Sequence, residues 1–253
     1  MSRFIMGATW EMAPHLTVAT REALYGSYQP YQRDARTRGI PQLGAGAVYQ
    51  IPESEIRVES FKIPDHWPRA WGGDTDQGEG ETAAVWGAQD PDSKVIYLYD
   101  CYKRKRQPVL VNAAAIKARG ADIPGVMDAA ALQTTPDDAV QLVRLYRAEG
   151  LTVSIPDKSV EAGIEQVWHL MMTGRLKVFA SLGPWFAEFR LYRRDERGRI
   201  VKRMDHLLDA TRYLIRSGMK RAQPVLALPE ENTDLMPDER YGGGDMGGMG
   251  WAT

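Results

Sequence analysis

Residues 71–102 read WGGDTDQGEGETAAVWGAQDPDSKVIYLYDCY. The pattern predicts a first strand ending on Asp74, a glycine-rich turn, a second strand over Thr82–Ala88, an Asp-Pro-Asp-Ser turn and a third strand over Lys94–Tyr99. Short turns between successive strands make a three-strand meander. Asp74 stands where the first strand gives way to glycine, exposed enough to hold a metal, although an aspartate beside glycine is also ordinary turn chemistry.

Downstream the periodicity changes. A basic knot, Lys103, Arg104, Lys105 and Arg106, precedes a helix from Pro108 to Arg119, with proline at its first turn and Gly120 past its last. Ile123–Met127 is a short apolar run that reads as a buried parallel strand and delivers Asp128 at its C-terminal end, where open α/β sheets place ligands. A second helix starts at Thr135 and Pro136, with Asp138 three after the cap, and stops at Gly150; Ala139, Leu142, Val143 and Tyr146 form its apolar face. Leu151–Ile155 reads as a strand, Glu161–Thr173 as a helix closed by Gly174, Arg175–Phe179 as a short extended piece and Pro184–Tyr192 as another helix. Three strands in a meander followed by alternating helix and strand predict an α/β fold: a mixed sheet, antiparallel first and parallel afterwards, with helices on both faces.

Arg190–Arg203, RLYRRDERGRIVKR, holds seven cations against two acids, with a hairpin turn at Glu196–Arg199. Such a finger is either a solvated edge that resists sheet pairing or a strip that lies along phosphates. After it, Leu207, Leu208, Thr211, Leu214 and Ile215 form one face of a helix, with Asp205, Asp209, Arg212 and Arg216 in a stripe on the other. Read alone, this is a surface helix whose carboxylates favour its N-terminus and whose arginines favour its C-terminus.

The chain has 253 residues, a formal net charge of -1, 43% hydrophobic and 26% charged residues, and a single cysteine, Cys101. That composition is globular and gives no global pull on polyanions, so contact with nucleic acid must come from local patches. It excludes an internal disulfide and a thiol metal cluster, and Cys101 is expected to pack rather than react. No run approaches a membrane span, and no basic segment leads into an apolar one at the N-terminus. Gly39–Gly46 lacks the Lys-Ser/Thr of a phosphate loop, so no ATP site is expected. The chain divides into an arm or linker over 1–65, a folded domain over 66–225 and a flexible, acidic, glycine-rich tail over 226–253. In that tail Met246, Met249 and Trp251 offer apolar anchors for a partner.

Asp74, Asp128 and Asp209 together have the composition of a two-metal phosphodiester hydrolase. Hard oxygen ligands suit Mg²⁺ or Mn²⁺, and a bridging carboxylate can hold two ions about 4 Å apart. No protein nucleophile is needed, and none of the usual nucleophile motifs is present.

The segments DARTRGIP (Asp34–Pro41), WGGDTDQGEGETAAVWGAQDP, GVMDAAALQ (Gly125–Gln133), TGRLKVF (Thr173–Phe179) and EFRLYRRDERGRIVKRMDHLLDATRYL (Glu188–Leu214) resemble the C-terminal nuclease domain of the large terminase subunit of tailed double-stranded DNA phages, within the ribonuclease H-like superfamily. The resemblance covers most of the chain. It implies a ribonuclease H-like sheet and a metal-dependent endonuclease that cuts concatemeric phage DNA during packaging in the host cytoplasm. Asp74, Asp128 and Asp209, the last within D-H-x-x-D-A-x-R-Y, correspond to the family's three metal-binding aspartates. His206 would be an accessory ligand or proton shuttle, and Asp205 would bind metal water or position His206. Phosphate contacts would come from Lys103, Arg104, Lys105 and Arg106 and from Arg193, Arg194, Arg197, Arg199, Lys202 and Arg203 of the finger. Implied partners are double-stranded DNA, the ATPase domain of the same full-length subunit, the portal protein and the small terminase subunit, with no membrane.

Three departures stand out. The turn after Asp74 is longer and more acidic than the family's usual form, so Asp76 or Glu79 would compete for metal; Ala129 stands where the family has proline; and the ATPase half that precedes this domain is absent, so Met1 is expected to open a separately produced piece. The sequence leaves two alternatives open: a structure-selective junction nuclease of the same fold, and a noncatalytic module that docks the motor on the portal or small subunit.

Overall fold

The structure, a computed structural model, describes residues 9–28, 37–38, 46–75, 80–128 and 136–225, of which 136–141 by backbone alone. Asp76, Glu79, Ala129, Thr135 and the tail over 226–253 lie outside the described residues, as does most of Asp34–Pro41. The side chains of Asp138 and Ala139 are not described.

The meander is present: β2 (Arg69–Thr75), β3 (Glu81–Gln89) and β4 (Ile96–Lys105) pair antiparallel. Lys94 has φ 60 and belongs to the turn, which Asp90 closes by accepting from Ser93 Oγ at 2.5 Å. β4 runs six residues past the expected end at Tyr99, because hydrogen bonding to β3 continues to Glu81 opposite Lys105. Lys103, Arg104 and Lys105 are therefore strand residues rather than a knot in the following loop, and Arg106 opens the turn at φ 52. Cys101 is partly buried within that strand, and burial pushes its thiol up to about 11, as a packing role requires.

β5 (Gly125–Asp128) lies parallel to β2 and β6 (Val153–Ser154) parallel to β5. On the other side β7 (Leu176–Phe179) pairs parallel with β4, and β1 (Arg57–Val58) with β7. The order across the sheet is β1-β7-β4-β3-β2-β5-β6. Residues 46–65 fall in the segment read as an arm, yet Tyr49, Ile51, Ile56 and Ile63 are buried in the core, and β1 extends the sheet. Their apolar residues are spaced too irregularly among prolines and charges to announce a packed element.

Seven helices complete the described residues: α1 (Val18–Ser27), α2 (Glu53–Ile56), α3 (Val109–Lys117), α4 (Pro136–Ala148), α5 (Val160–Met172), α6 (Gly183–Leu191) and α7 (His206–Tyr213). Alternation along the strands divides them between two faces. Trp71, Ala84, Trp86 and Met127 pack with α3 and α4, whereas Ala70, Ala83, Val85 and Leu98 pack with α5, α6 and α7. Trp71 is fully buried and donates from Nε1 to the Ile123 carbonyl at 3.1 Å, which satisfies the one polar group its indole brings into the core. None of the described helices is long and apolar enough to cross a membrane.

α7 departs from the sequence expectation. It is not a surface helix: every residue from Leu207 to Tyr213 is buried, including the expected polar stripe at Asp209 and Arg212. The sheet accepts this helix at contact distance because Gly72 faces it. A Cβ at Gly72 would lie 2.3 Å from the Ala210 carbonyl oxygen and 2.7 Å from Leu214 N. Beyond Tyr213 the helix widens into a π turn over Leu214–Gly218, where Arg216 reaches Asp157 at 2.9 Å.

Candidate active site

Period-two alternation on β2 puts Asp74 on the same face as Ala70 and Gly72, the face on which α7 lies. Asp128 is its direct partner in the parallel register of β2 and β5, so two carboxylates leave adjacent strands at the same level. Asp209 enters from α7 above them. All three line one cleft of about 700 Å³ with Thr75, Glu81, Lys103, Lys105, Lys202, Arg203, Met204, Asp205, His206 and Tyr213. The structure thus brings together Asp74, Asp128, Asp205, His206 and Asp209, with four of the expected cations at the rim.

Each aspartate is held by a neighbouring side chain, buried in every case but His206. Asp128 accepts at Oδ2 from the Tyr213 hydroxyl at 2.7 Å. Asp209 Oδ1 faces Arg212 Nη2 at 2.9 Å and accepts from the Tyr192 hydroxyl at 3.2 Å. Asp74 Oδ2 meets His206 Nδ1 at 2.9 Å. Arg212, 1% exposed, reaches its place because α5 presents Gly163, where a Cβ would sit 2.4 Å from the Arg212 stem.

The electrostatics follow from this crowding. Burial first, then the charges of Asp209 and Asp128, push the Asp74 carboxyl up to about 6 against the pull of His206. His206 is raised chiefly by its bond to Asp74, then by that residue's charge and those of Asp205 and Glu81. Burial alone would raise Asp209 too, but Arg212 and Lys202 hold it below the usual carboxylate range. Asp205 is raised by burial and by Asp209.

Among the described residues no three His, Cys, Asp or Glu side chains are gathered closely enough to grip one ion as they stand. The donor chemistry nonetheless fits a hard divalent cation. Asp74, Asp128 and Asp209 offer carboxylates to one cleft, and their mutual repulsion is the charge imbalance that a cation relieves. Two of them are engaged by lysines, Lys158 Nζ to Asp128 Oδ1 at 2.7 Å and Lys202 Nζ to Asp209 Oδ2 at 2.7 Å.

The expected DNA-contacting cations separate into two groups. Lys105, Lys202 and Arg203 line the cleft; Lys103 does too, but its ammonium is bound to the buried Glu188 and lies 3.3 Å from Glu81. The finger forms the expected hairpin, closed by Asp195 N donating to the Arg199 carbonyl at 2.8 Å. Within it Arg194 is clamped to Glu161 at 2.6 Å and Arg199 to Asp195 at 3.2 Å, while Arg193 and Arg197 are exposed, as is Arg104 on β4.

The sequence does not announce Glu81 or Lys158, nor that Tyr192, beside the cationic finger, and Tyr213 hold carboxylates. Tyr213 was findable, since it follows Asp209 by four residues on one helical face. Glu81 falls in the turn when the second strand is read from Thr82, whereas β3 begins at Glu81 itself. Lys158 sits in a loop with no periodic signal.

The chain matches the family described as Terminase RNaseH-like domain over residues 72–217. The large terminase subunits of Enterobacteria phage LP7 and Salmonella phage P22 are each 35% identical to it over 223 residues, or 84% of this chain. That span is 46% and 44% of their lengths, so the chain covers less than half of these relatives. The solved nuclease domain of the P22 large terminase is 34% identical, with a TM-score of 0.65 over 72% of this chain and 96% of that one.

Proposed function

This chain belongs to the terminase RNaseH-like domain family, and from that membership we propose that it is a divalent-metal-dependent endonuclease domain that cuts concatemeric double-stranded phage DNA during genome packaging. The observation that carries the reading is the level pairing of Asp74 with Asp128 across β2 and β5, with Asp209 delivered onto them by α7. In this role Asp74, Asp128 and Asp209 hold two Mg²⁺ or Mn²⁺ ions, and Asp205 and His206 stand beside them. When bound, the cations supply positive charge to the scissile phosphate and to the oxygen that leaves it.

The chain's own residues perform the rest. Tyr213, Arg212 and Tyr192 fix the orientation of Asp128 and Asp209, so little reorganisation is left for the reaction itself. His206 keeps Nδ1 on Asp74 and turns Nε2 toward Glu81 at 3.5 Å, an arrangement that can pass on the proton released by the attacking water. Lys105 and Arg203 position phosphates along the cleft, joined by Lys202 when it leaves Asp209, and Arg106, Arg193 and Arg197 extend that track outward, while Arg104 falls with Tyr102 on the opposite face of the sheet. Phosphate contacts carry no sequence information, so cutting is sequence-tolerant. Lys103, Arg194 and Arg199, engaged with Glu188, Glu161 and Asp195, contribute less.

On this reading the nuclease unit of 66–225 takes in residues 46–65 through their core side chains and β1, the residues before them lead from an ATPase domain of the same subunit, and the tail over 226–253 is proposed to bind partners. The portal protein and small terminase subunit are the partners proposed, in the host cytoplasm. The test is plasmid nicking: Asp128→Ala should abolish Mn²⁺- or Mg²⁺-dependent cutting while the circular dichroism spectrum is kept. A folded variant that nicks at the wild-type rate would remove the assignment.

A further inference from the structure

Asp128 and Asp209 divide labour between their two oxygens, and Asp74 shares the first half of the pattern. One oxygen of each is held by a donor that cannot leave: the Tyr213 hydroxyl for Asp128, Arg212 and Tyr192 for Asp209, and His206 for Asp74. Tyr213, Arg212 and Tyr192 are buried, and the His206 side chain is only 15% exposed. The other oxygen of Asp128 and of Asp209 is engaged at 2.7 Å by an ammonium group of another kind. The Lys158 side chain is 40% exposed and that of Lys202 63% exposed. Both come from loops, Lys158 from the link between β6 and α5 and Lys202 from the segment between the hairpin and α7. Lys202 also lies 3.3 Å from Asp205 Oδ2, an oxygen with no hydrogen-bond donor of its own.

A lysine that only braced a carboxylate would be redundant here, because Asp128 and Asp209 are each already braced at the other oxygen. Long, exposed side chains on loops hold such pairs weakly and exchange readily with water. Resting on the reading of Asp74, Asp128 and Asp209 as metal ligands, we propose that Lys158 and Lys202 are displaceable counter-cations that occupy the second oxygens of Asp128 and Asp209 until divalent ions take their place.

The device has two physical consequences. Without metal, the lysines neutralise part of a buried negative cluster that would otherwise repel itself. With metal, their ammonium groups are competitors, so the affinity of the site is set by the difference between the ion and the lysine rather than by the ion alone. The buried donors on the opposite oxygens keep the carboxylates in place during the exchange, so the swap needs only two loop side chains to move.

The test is calorimetric titration of Mn²⁺ into the wild type, Lys158→Gln, Lys202→Gln and the two Lys→Arg variants, with Asp128→Asn as the ligand control. Removing the ammonium should tighten Mn²⁺ binding by roughly 3–10-fold per lysine, the scale of a partly exposed ion pair with a charged hydrogen bond. The arginine variants, which keep the competing charge, should show no such gain. Metal-free Lys→Gln proteins should also melt below the wild type and regain more on adding Mn²⁺. General structural damage would weaken metal binding, so a gain in affinity separates competition from bracing. If the wild type binds Mn²⁺ and Asp128→Asn does not, yet both Lys→Gln variants bind equally or more weakly than the wild type, the counter-cation role is wrong and the metal site stands. If the wild type gives no heat that depends on Asp128, the metal site itself is wrong, and this role falls with it.

Discussion

Asp74→Asn should make the metal-free protein more stable at neutral pH. The Asp74 carboxyl is pushed from 3.8 up to about 6 by burial and by the neighbouring charges of Asp209 and Asp128. A shift of about two units at 1.36 kcal/mol each makes the ionised carboxylate an internal cost of about 3 kcal/mol above pH 6. Asparagine removes that charge while its carbonyl still accepts from His206 Nδ1, now 2.9 Å from Asp74 Oδ2. The pull of His206 is already contained in that value, and the amide's own burial offsets part of the gain, leaving about 1–2 kcal/mol. In a domain of this size that raises Tm by about 2–8 °C. The sign with pH follows from the folded value lying above the unfolded one. Between pH 6 and pH 3.8 the folded wild type holds a proton that the unfolded chain has released, so the wild type gains stability as pH falls through that window. The advantage of Asp74→Asn should therefore be full at pH 7.5 and gone near pH 4. Differential scanning calorimetry in EDTA across that range reads it directly. A variant that melts below the wild type at pH 7.5, or an advantage that persists unchanged at pH 4, would refute the idea that Asp74 is held under charge strain.

Two other consequences are open to measurement. Gly72→Ala places a methyl against the Ala210 carbonyl and Leu214 N of α7, where nothing flexible can give way, so it should cost at least about 2–3 kcal/mol by denaturant titration and weaken Mn²⁺ binding by lifting Asp209 off the strands; unchanged stability would mean α7 does not need that approach. Lys105→Ala with Arg203→Ala should lower duplex affinity and reduce the slope of log affinity against log salt by about 2, whereas Arg194→Ala with Arg199→Ala, whose cations are clamped to Glu161 and Asp195, should change it by less; the reverse ranking would move the DNA track from the cleft rim to the hairpin.

The meander was legible because alternation and turn chemistry are local: Trp71 and Trp86 to one face, Ala70 and Val85 to the other, with Asp90 closing the turn. Asp128 was legible as the end of an apolar run. The nature of α7 was not, because its polar stripe has the spacing of a solvated face, and only the tertiary structure supplies Gly72, Gly163 and Tyr192 to bury it. The same reason hid residues 46–65, whose core contacts are made with α5, α6 and β7 far along the chain. Lys158 was invisible for a simpler cause: its loop carries no period, and its partner Asp128 is thirty positions away.

The central claim is that Asp74, Asp128 and Asp209 hold divalent cations in one cleft. Crystals soaked in Mn²⁺ and measured for anomalous scattering test it most directly. Two peaks should appear about 4 Å apart, each within carboxylate bonding distance of these aspartates, with Lys158 and Lys202 turned away. A fully soaked crystal with no anomalous peak among the three aspartates, and both lysines still in place, would contradict it.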